Sequence, residues 1–249
     1  MRIRLSVSAV LSTLLLSSPA SSLTISEIQG TGFNSPYKNE AVTDVTGVVT
    51  AIGPQGFWLR STTPDDDYRT SDSIYVFTTA STTSIRRNVT VGETITIDGK
   101  VEEFRSNKDH LLLTELTGPK NLRKHNVPIV PPKPVQLGRD RAPPTQLFSA
   151  LDNGDIFAIP NNASLIETSG IDLDPDNYGL DFWESLEGEL VTVKMPVALN
   201  RPNNFGDIWI RGGDWKVTAQ NRRGGLTIVP GMSLFIPIPA FNHPNSSTL

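Results

Sequence analysis

The sequence predicts a mainly β protein, in which an OB-like barrel is followed by a second small β unit and a Pro-rich connector joins the two. The 249-residue chain contains 19 Gly and 19 Pro, a content that is typical of turn-rich β proteins. Its apolar residues fall in short β-branched or aromatic runs that are separated by turn residues, with no long helical period. An Ig-like sandwich of similar length is the alternative for the first unit.

Residues 1–22 have the pattern of a secretory signal peptide. Arg2 and Arg4 precede a short apolar run, Leu5–Leu16, and small residues follow it. The run is shorter than the roughly 20 apolar residues that span a bilayer. We therefore expect a secreted, extracellular protein without a membrane anchor. Removal of this segment, which carries two arginines and no acid, changes the formal net charge from −4 to 20 − 26 = −6.

Composition excludes several classes of site. The chain has no cysteine, which rules out thiol catalysis and zinc sites built on cysteine. The negative net charge gives no overall basic field toward nucleic acid. Three Asn-x-Ser/Thr sequons, at Asn88, Asn162 and Asn245, are predicted glycosylation sites in a secreted chain.

The first unit spans residues 23–118. Its candidate strands are LTISEIQG, AVTDVTGVVTAI, GFWLRS, SIYVFT, ETITIDGKVEEF and HLLLTEL. Gly47, inside the second of these, is expected to mark a bulge or sharp bend. About five strands at this spacing fit a small closed barrel.

Residues 119–144 form the predicted connector, which is rich in proline and in basic residues, among them Arg123 and Lys124. Proline favours an extended, semi-rigid backbone. The basic residues face a single acid, Asp140. The segment is therefore either a solvated connector or a basic strip for a polyanion.

The second β unit is predicted over residues 145–228. ELVTVKMPVAL, DIWIRGG and WKVTAQ are its candidate strands, and TQLFSALDNGD is a candidate short helix. Residues 229–249 are expected to be a disordered or non-native tail.

A Trp-x-Arg pair occurs in one candidate strand of each unit, as Trp58 and Arg60 and as Trp209 and Arg211. Neighbouring residues of a strand face opposite ways, so each tryptophan shares a face with its arginine. An exposed aromatic ring beside a guanidinium suits base stacking with a phosphate contact. The alternative is a second packing layer in which the tryptophan is covered. The candidate nucleic-acid-binding residues are Trp58, Arg60, Trp209, Arg211, Arg123 and Lys124.

The stretch TPDDDYRTSDSIYVF places four carboxylates ahead of a candidate strand. Clustered carboxylates bind divalent cations such as Ca²⁺ or Mg²⁺, and the candidate ligands are Asp65, Asp66, Asp67 and Asp72. Consecutive side chains diverge in regular backbone, however, and the position between two strands is also typical of a solvated hairpin loop.

Catalytic motifs are missing from the sequence. The three histidines, His110, His125 and His243, form no H-x-x-x-H pair, and neither a G-x-S-x-G elbow nor a phosphate-binding Gly-rich loop is present. No catalytic residue is predicted.

Several segments resemble, in order, the amino-terminal region of secreted DNase I-like nucleases of bacteria and fungi, which are members of the endonuclease/exonuclease/phosphatase superfamily. They are SEIQGTGFNSPY, VTGVVTAIGPQGFWLRSTTPDDDYRTSDSIYVFT, VTVGETITIDGKVEEF and LTEL, followed by GLDFWESLEGELVTV, NNFGDIWI and NRRGGLTI. The resemblance covers about residues 24–228. It implies an OB-like domain ahead of a metal-dependent nuclease domain whose Gly-Asp-x-Asn and Ser-Asp-His signatures this chain lacks.

The resemblance implies a secreted accessory region that positions nucleic acid or braces a missing catalytic domain. The sequence after Val229 differs from the family, which suggests a truncated gene model or an unspliced intron. A stand-alone secreted module that binds a polyanion or a carbohydrate is the alternative. A third interpretation is an enzyme whose metal is held by the four aspartates.

Overall fold

A computed structural model describes residues 22–106, 110–128, 133–144, 147, 149–152, 166, 170–204, 206–215 and 220–226. Over these residues the protein is mainly β, as predicted, and no described helix is long and apolar enough to cross a membrane. The helices are α1 (Ile25–Gln29), α2 (Thr83–Arg87) and α3 (Gly179–Glu184), with a 3₁₀ turn at Ala150–Asp152. The strands are β1 (Ala41–Ile52), β2 (Gly56–Ser61), β3 (Ser73–Phe77), β4 (Thr94–Phe104), β5 (Leu113–Lys124), β6 (Val135–Leu137), β7 (Val191–Val193), β8 (Val197–Ala198) and β9 (Ile210–Arg211).

Strands β1 to β5 form one mixed sheet that closes on itself in the order β1-β2-β3-β5-β4. The β3–β5 pair is parallel, and the other pairs, including β1 with β4, are antiparallel. Closure leaves these strands without free edges, which protects them from pairing with other chains.

The barrel interior is filled by the inward-facing residues of each strand. Phe57 and Leu59 of β2 and Ile74 and Val76 of β3 are fully buried, as the two-residue period of a strand requires. Helix α1 adds Ile25 and Ile28 to the same core. The complete buried cluster is Ile25, Ile28, Val42, Val45, Val49, Phe57, Leu59, Ile74, Val76, Val89, Ile95, Ile97, Val101 and Leu116.

The predicted strand LTISEIQG is wrong, because its centre is helix α1. Thr24 and Glu27 form a capping box: the Glu27 N–H donates to Thr24 Oγ1 at 3.2 Å, and the Thr24 N–H donates to Glu27 Oε2 at 2.7 Å. This pair satisfies two backbone donors that a short helix would otherwise leave unpaired. The T-x-x-E spacing that marks the helix start is visible in the sequence.

Gly47 is not at a bulge. The register of β1 shifts between Val49 and Ala51 against β2, and between Val42 and Val45 against β4. Gly47 lies in a regularly paired stretch, where a Cβ would come within 2.8 Å of the Arg60 carbonyl oxygen. Close approach of β2, rather than a bend, therefore requires glycine here.

Strand β5 continues to Lys124 and so includes the first six residues of the predicted connector, 119–124. Strand β6, also within 119–144, pairs in parallel with β7. Strand β8 pairs with β9 in a second small sheet, and Met195, with φ of 46°, interrupts the run ELVTVKMPVAL between β7 and β8. Leu137, Phe182 and Leu186 form the core beside β6 and β7.

Several predictions fall on residues that the structure does not describe. These are the signal peptide apart from Ser22, the glycosylation sites Asn162 and Asn245, most of TQLFSALDNGD, the centre of WKVTAQ, and the tail 229–249.

Candidate functional site

Trp58 and Arg60 lie on the outer face of β2, as the strand period predicts, because Phe57 and Leu59 fill the barrel. The Trp58 ring packs against Tyr75 of β3 with 4.7 Å between ring centroids and 47° between the planes. Both side chains of the Trp-x-Arg pair are half-buried. This outer face of β2 and β3 carries the predicted ligand-binding pair, but another segment of the chain covers it.

The cover is the segment Glu184–Glu189 at the end of α3, which we name the acidic turn. Gly188 has φ of +71°, and a Cβ on it would lie 2.6 Å from Trp58 Cζ3, so only glycine fits against the indole. Arg60 Nε donates to Glu189 Oε2 at 2.7 Å, and the Asp72 N–H donates to Glu189 Oε1 at 3.2 Å. Trp58 and Arg60 are therefore engaged in internal packing.

Glu187 fixes the same turn to three other parts of the barrel. Its Oε1 accepts from Gln29 Nε2 of α1 at 3.2 Å and from the Thr114 N–H of β5 at 3.0 Å. Its backbone oxygen accepts from Ser71 Oγ at 2.6 Å. Gln29 Nε2 also donates to the Ser73 carbonyl at 2.6 Å. The Glu187 side chain thus supplies an acceptor to the Thr114 N–H and a second acceptor to the Gln29 amide.

Carboxyl groups cluster around this contact. Burial, and then the neighbouring Glu103, raise the pKa of Glu187 to about 8. Burial, and then the like charge of Glu187, raise the pKa of Glu184 well above its usual range. On the barrel side, burial and then Glu102 raise the pKa of Glu115 to about 7. These groups are held in a medium that favours their neutral form.

The aspartate loop makes its own hydrogen-bonded turn. Asp65 Oδ1 accepts from the Asp67 N–H at 3.1 Å and from Thr70 Oγ1 at 2.9 Å. Arg69 binds Asp67 at 2.6 Å, and this hydrogen bond holds the pKa of Asp67 below its usual value. Asp66 is exposed. The contacts are those of a solvated loop that satisfies its own backbone.

Asp72 stands apart from the other three aspartates, since it lies against the covered face. Its Oδ1 accepts from the Asp65 N–H at 3.2 Å, and its Oδ2 is 4.0 Å from Arg60 Nη2. Burial raises the pKa of Asp72 to about 6. Within the described part of the chain, no group of three or more His, Asp or Glu side chains is placed to hold a metal ion.

Conversion of Asp65, Asp66 and Asp67 to asparagine is expected to lower the free energy of unfolding by less than about 1 kcal/mol. Asparagine keeps the accepting oxygens, and partly exposed ion pairs such as Asp67–Arg69 contribute about 0.2–1 kcal/mol. Urea denaturation of both proteins, with and without Ca²⁺ or Mg²⁺, measures the difference. A larger loss, or stabilisation of the wild type alone by a cation, would reveal a metal-held loop.

The second Trp-x-Arg pair has a different environment. Trp209 is 39% exposed, whereas Arg211 is 8% exposed. Arg211 Nη1 donates to the Gly212 carbonyl at 2.9 Å and Nη2 donates to Gln220 Oε1 at 3.3 Å. Arg211 therefore binds the turn 220–226, and of this pair only Trp209 is exposed to solvent.

Positive charge concentrates around this hairpin. Residues 194–226 carry six basic and two acidic residues, a formal charge of +4 in a chain of −4. Arg201, Arg222 and Arg223 are exposed, and we find no ion pair for them among the described residues. Gly224 places the turn 220–226 over the hairpin, since a Cβ on it would lie 3.7 Å from Val197 Cγ1 and 3.9 Å from Arg211 Nη2.

An open cleft of about 470 Å³ lies in the loop of the same hairpin, lined by Asn200, Arg201, Pro202, Asn203 and Asn204. The Trp209 N–H donates to Asn200 Oδ1 at 2.6 Å, which ties the loop to the strand that carries the tryptophan. We name Arg201, Trp209, Arg222 and Arg223 the basic hairpin surface.

Arg123 and Lys124, at the end of β5, do not form a free basic strip. Arg123 binds Asp44 of β1, and Lys124 Nζ lies 3.1 Å from Glu93 Oε1. Each cation is thus paired across the sheet with a carboxylate, which reduces the field available to a polyanion.

Asn88, the one predicted glycosylation site within the described residues, follows the last residue of α2 and is exposed. Its position fits the accessible surface sites at which glycans are attached. Glycosylation at this position remains a prediction.

A family model described as a domain of unknown function, DUF8508, matches residues 136–246, fewer than half of the 249. The matched range begins in β6, contains α3 and β7 to β9, and continues past Val229 into the segment that we expected to be a tail. Neither the curated proteins nor the solved structures contain a match to the chain.

Proposed function

We propose that this protein is a secreted, non-catalytic accessory region of a DNase I-like nuclease, in which the barrel braces the chain that follows and the basic hairpin surface contacts single-stranded nucleic acid. The nuclease context rests on the ordered sequence resemblance. The observation that carries the binding role is the contrast between the two Trp-x-Arg pairs. Trp58 and Arg60 are covered by Gly188 and Glu189. Trp209, in contrast, is exposed, and it lies in a segment whose exposed arginines form no ion pair with the described residues.

An OB-like form for the barrel is supported by its strand order, in which β1-β2-β3-β5-β4 closes from β4 back to β1. OB-folds bind oligonucleotides on the face of strands 2 and 3. Here the acidic turn lies on that face, so its geometry favours bracing over ligand binding. The barrel would hold α3 through the acidic turn.

The basic hairpin surface has the two components that single-strand binding needs. An exposed indole provides a stacking platform that accepts any base, and guanidinium groups contact phosphates. The excess of positive charge in residues 194–226, within an acidic chain, localises the attraction to this surface.

Replacement of Arg222 and Arg223 by glutamine is expected to weaken single-stranded DNA binding and to reduce its salt dependence. Loss of two phosphate contacts lowers the slope of log K against log salt by roughly 1.4.

Trp209→Ala is expected to remove about 1–3 kcal/mol of binding free energy, with the slope of log K against log salt unchanged. Fluorescence anisotropy with a labelled oligonucleotide, at salt concentrations from about 25 to about 200 mM, measures the binding free energy and its salt dependence.

The matched control is Arg87→Gln with Lys120→Gln, which removes two exposed barrel cations. It should leave the slope unchanged. Equal loss in the control, or no binding by the wild type at low salt, would exclude this surface. Tighter binding of an anionic polysaccharide than of DNA would instead favour a stand-alone polyanion- or carbohydrate-binding module.

A further inference from the structure

The acidic turn joins the barrel to the following unit through carboxyl groups. It contacts β2 and β3 through Gly188 and Glu189, and α1 and β5 through Glu187. We propose that the acidic turn is a pH-sensitive latch, which holds α3 on the barrel in acid and releases the β2–β3 face as the pH rises. This goes beyond the nucleic-acid role and does not depend on it.

The charges around the latch are almost all of one sign. Glu187 faces Glu103 of β4 and Glu115 of β5, and Glu184 faces Glu187, Glu103 and Asp181. Helix α1 contributes the neutral Gln29, and the chain before β3 contributes the hydroxyl of Ser71. The cations facing the group are Arg60 and Arg141, which act on Glu189, and Lys38, which acts on Glu103. Among the described residues, the Glu187 side chain accepts hydrogen bonds from the neutral donors Gln29 Nε2 and the Thr114 N–H, and no cation is hydrogen-bonded to it.

The hydrogen bonds of Glu187 can all form when its carboxyl group is neutral. Its Oε1 accepts two hydrogen bonds, from Gln29 Nε2 and from the Thr114 N–H, and an acid carbonyl oxygen accepts both. Glu103 also accepts from donors of the same region, the Ser35 N–H at 2.6 Å and Thr114 Oγ1 at 3.2 Å. A proton on Glu187 thus removes the repulsion between these carboxyls while the hydrogen bonds remain.

The direction of the pH effect follows from the two states of Glu187. In the docked turn its pKa is raised to about 8, against an ordinary value of 4.5. The contribution of Glu187 to docking is therefore fully present below about pH 4.5. Since the docked state keeps a proton that the released state loses, the docking constant falls about tenfold per pH unit for this carboxyl up to about pH 8. Burial raises the pKa of Glu184 and Glu115 in the same direction.

Release would uncover a defined surface. Gly188 contacts the indole of Trp58, and Glu189 binds the Arg60 guanidinium. Without them, an aromatic ring and a cation on neighbouring outward positions of β2 become accessible. Glu189 thus occupies the place at Arg60 that an anionic group from another molecule would take.

The test is the environment of Trp58 as a function of pH. The protein is labelled with 5-fluorotryptophan, and the Trp58 ¹⁹F resonance, assigned with Trp58→Phe, is followed from acidic to alkaline pH. In the wild type we expect the resonance to leave its docked position as the pH rises toward 8 and to return on acidification. Glu187→Gln keeps the accepting oxygen and cannot ionise, so its docking constant at pH 8 should exceed that of the wild type at least tenfold.

Glu40→Gln, which neutralises an exposed carboxyl, is the control and should follow the wild type. If Glu187→Gln does not fold, Glu184→Gln serves in its place, with the same expectation. A Trp58 resonance that is constant in the wild type across this range overturns the latch. So does a transition in Glu187→Gln at the same pH and with the same amplitude as in the wild type.

Discussion

Phe57→Ala is expected to destabilise the protein by about 3–5 kcal/mol, the usual cost of truncating a fully buried phenylalanine. Phe57 is 0% exposed and is the largest fully buried side chain of the barrel core. It pairs with Ile52 of β1 and with Val76 of β3, so the cavity would open in the middle of a closed sheet. Such a sheet cannot collapse around the gap without breaking strand pairs.

Urea denaturation provides the measurement, and Phe104→Ala provides the control. Phe104 ends β4 and is 50% exposed, so its truncation removes little buried surface and should cost less than about 1 kcal/mol. Equal losses for the two variants would mean that Phe57 is not enclosed by the barrel.

Phe57 also shows which part of the fold a local pattern can predict. In GFWLRS the alternation of side chains correctly placed Phe57 and Leu59 inside and Trp58 and Arg60 outside. The short β-branched runs correctly predicted about five strands. The helix α1 could have been predicted too, because Thr24 and Glu27 have the spacing of a capping box, which outweighs a loose alternation.

The covering of the β2–β3 face could not be predicted in this way. Arg60 and Glu189 are 129 residues apart, and no periodicity specifies which distant segment packs on an outer face. The alternative of a second packing layer was available from the sequence for Trp58. Only the three-dimensional contact with Gly188 distinguishes it from an exposed stacking platform.

The two Trp-x-Arg pairs have the same sequence pattern but differ in their hydrogen-bond partners and in the exposure of their tryptophans. Arg60 forms an ion pair with a carboxylate, whereas Arg211 binds a backbone carbonyl and a glutamine. Trp58 is half-buried, and Trp209 is exposed. A three-residue pattern determines which side chains share a face, but the surrounding chain determines what covers that face.

The family match extends into the segment after Val229, which we expected to be a non-native tail. A family model describes sequence that several proteins share, and its match continues to residue 246. This favours a native continuation of the second unit after Val229 over intron-derived sequence. Reverse transcription and sequencing of the transcript would distinguish the two.

Arg60→Met is expected to destabilise the protein by about 3–5 kcal/mol, because it leaves a buried carboxylate without its cation. The Glu189 side chain is 4% exposed and that of Arg60 is 18% exposed, with 2.7 Å between Arg60 Nε and Glu189 Oε2. After the change, Glu189 would keep the hydrogen bond from the Asp72 N–H but would lose the cation that is hydrogen-bonded to it. Either the carboxyl binds a proton or the acidic turn leaves the barrel, and both outcomes cost free energy of folding.

Two comparisons separate this effect from simple loss of packing. Lys100→Met breaks the Lys100–Glu102 pair, whose side chains are 46% and 42% exposed, and should cost less than about 1 kcal/mol. Arg60→Met combined with Glu189→Met removes both charges, and it should recover most of the stability lost in the single variant, since apolar replacements of a buried ion pair are often neutral. Chemical denaturation of the three variants measures this coupling. A double variant no more stable than Arg60→Met would mean that the charge of Glu189 is not what the arginine compensates, and that the turn is held to the barrel by its apolar contacts and hydrogen bonds alone.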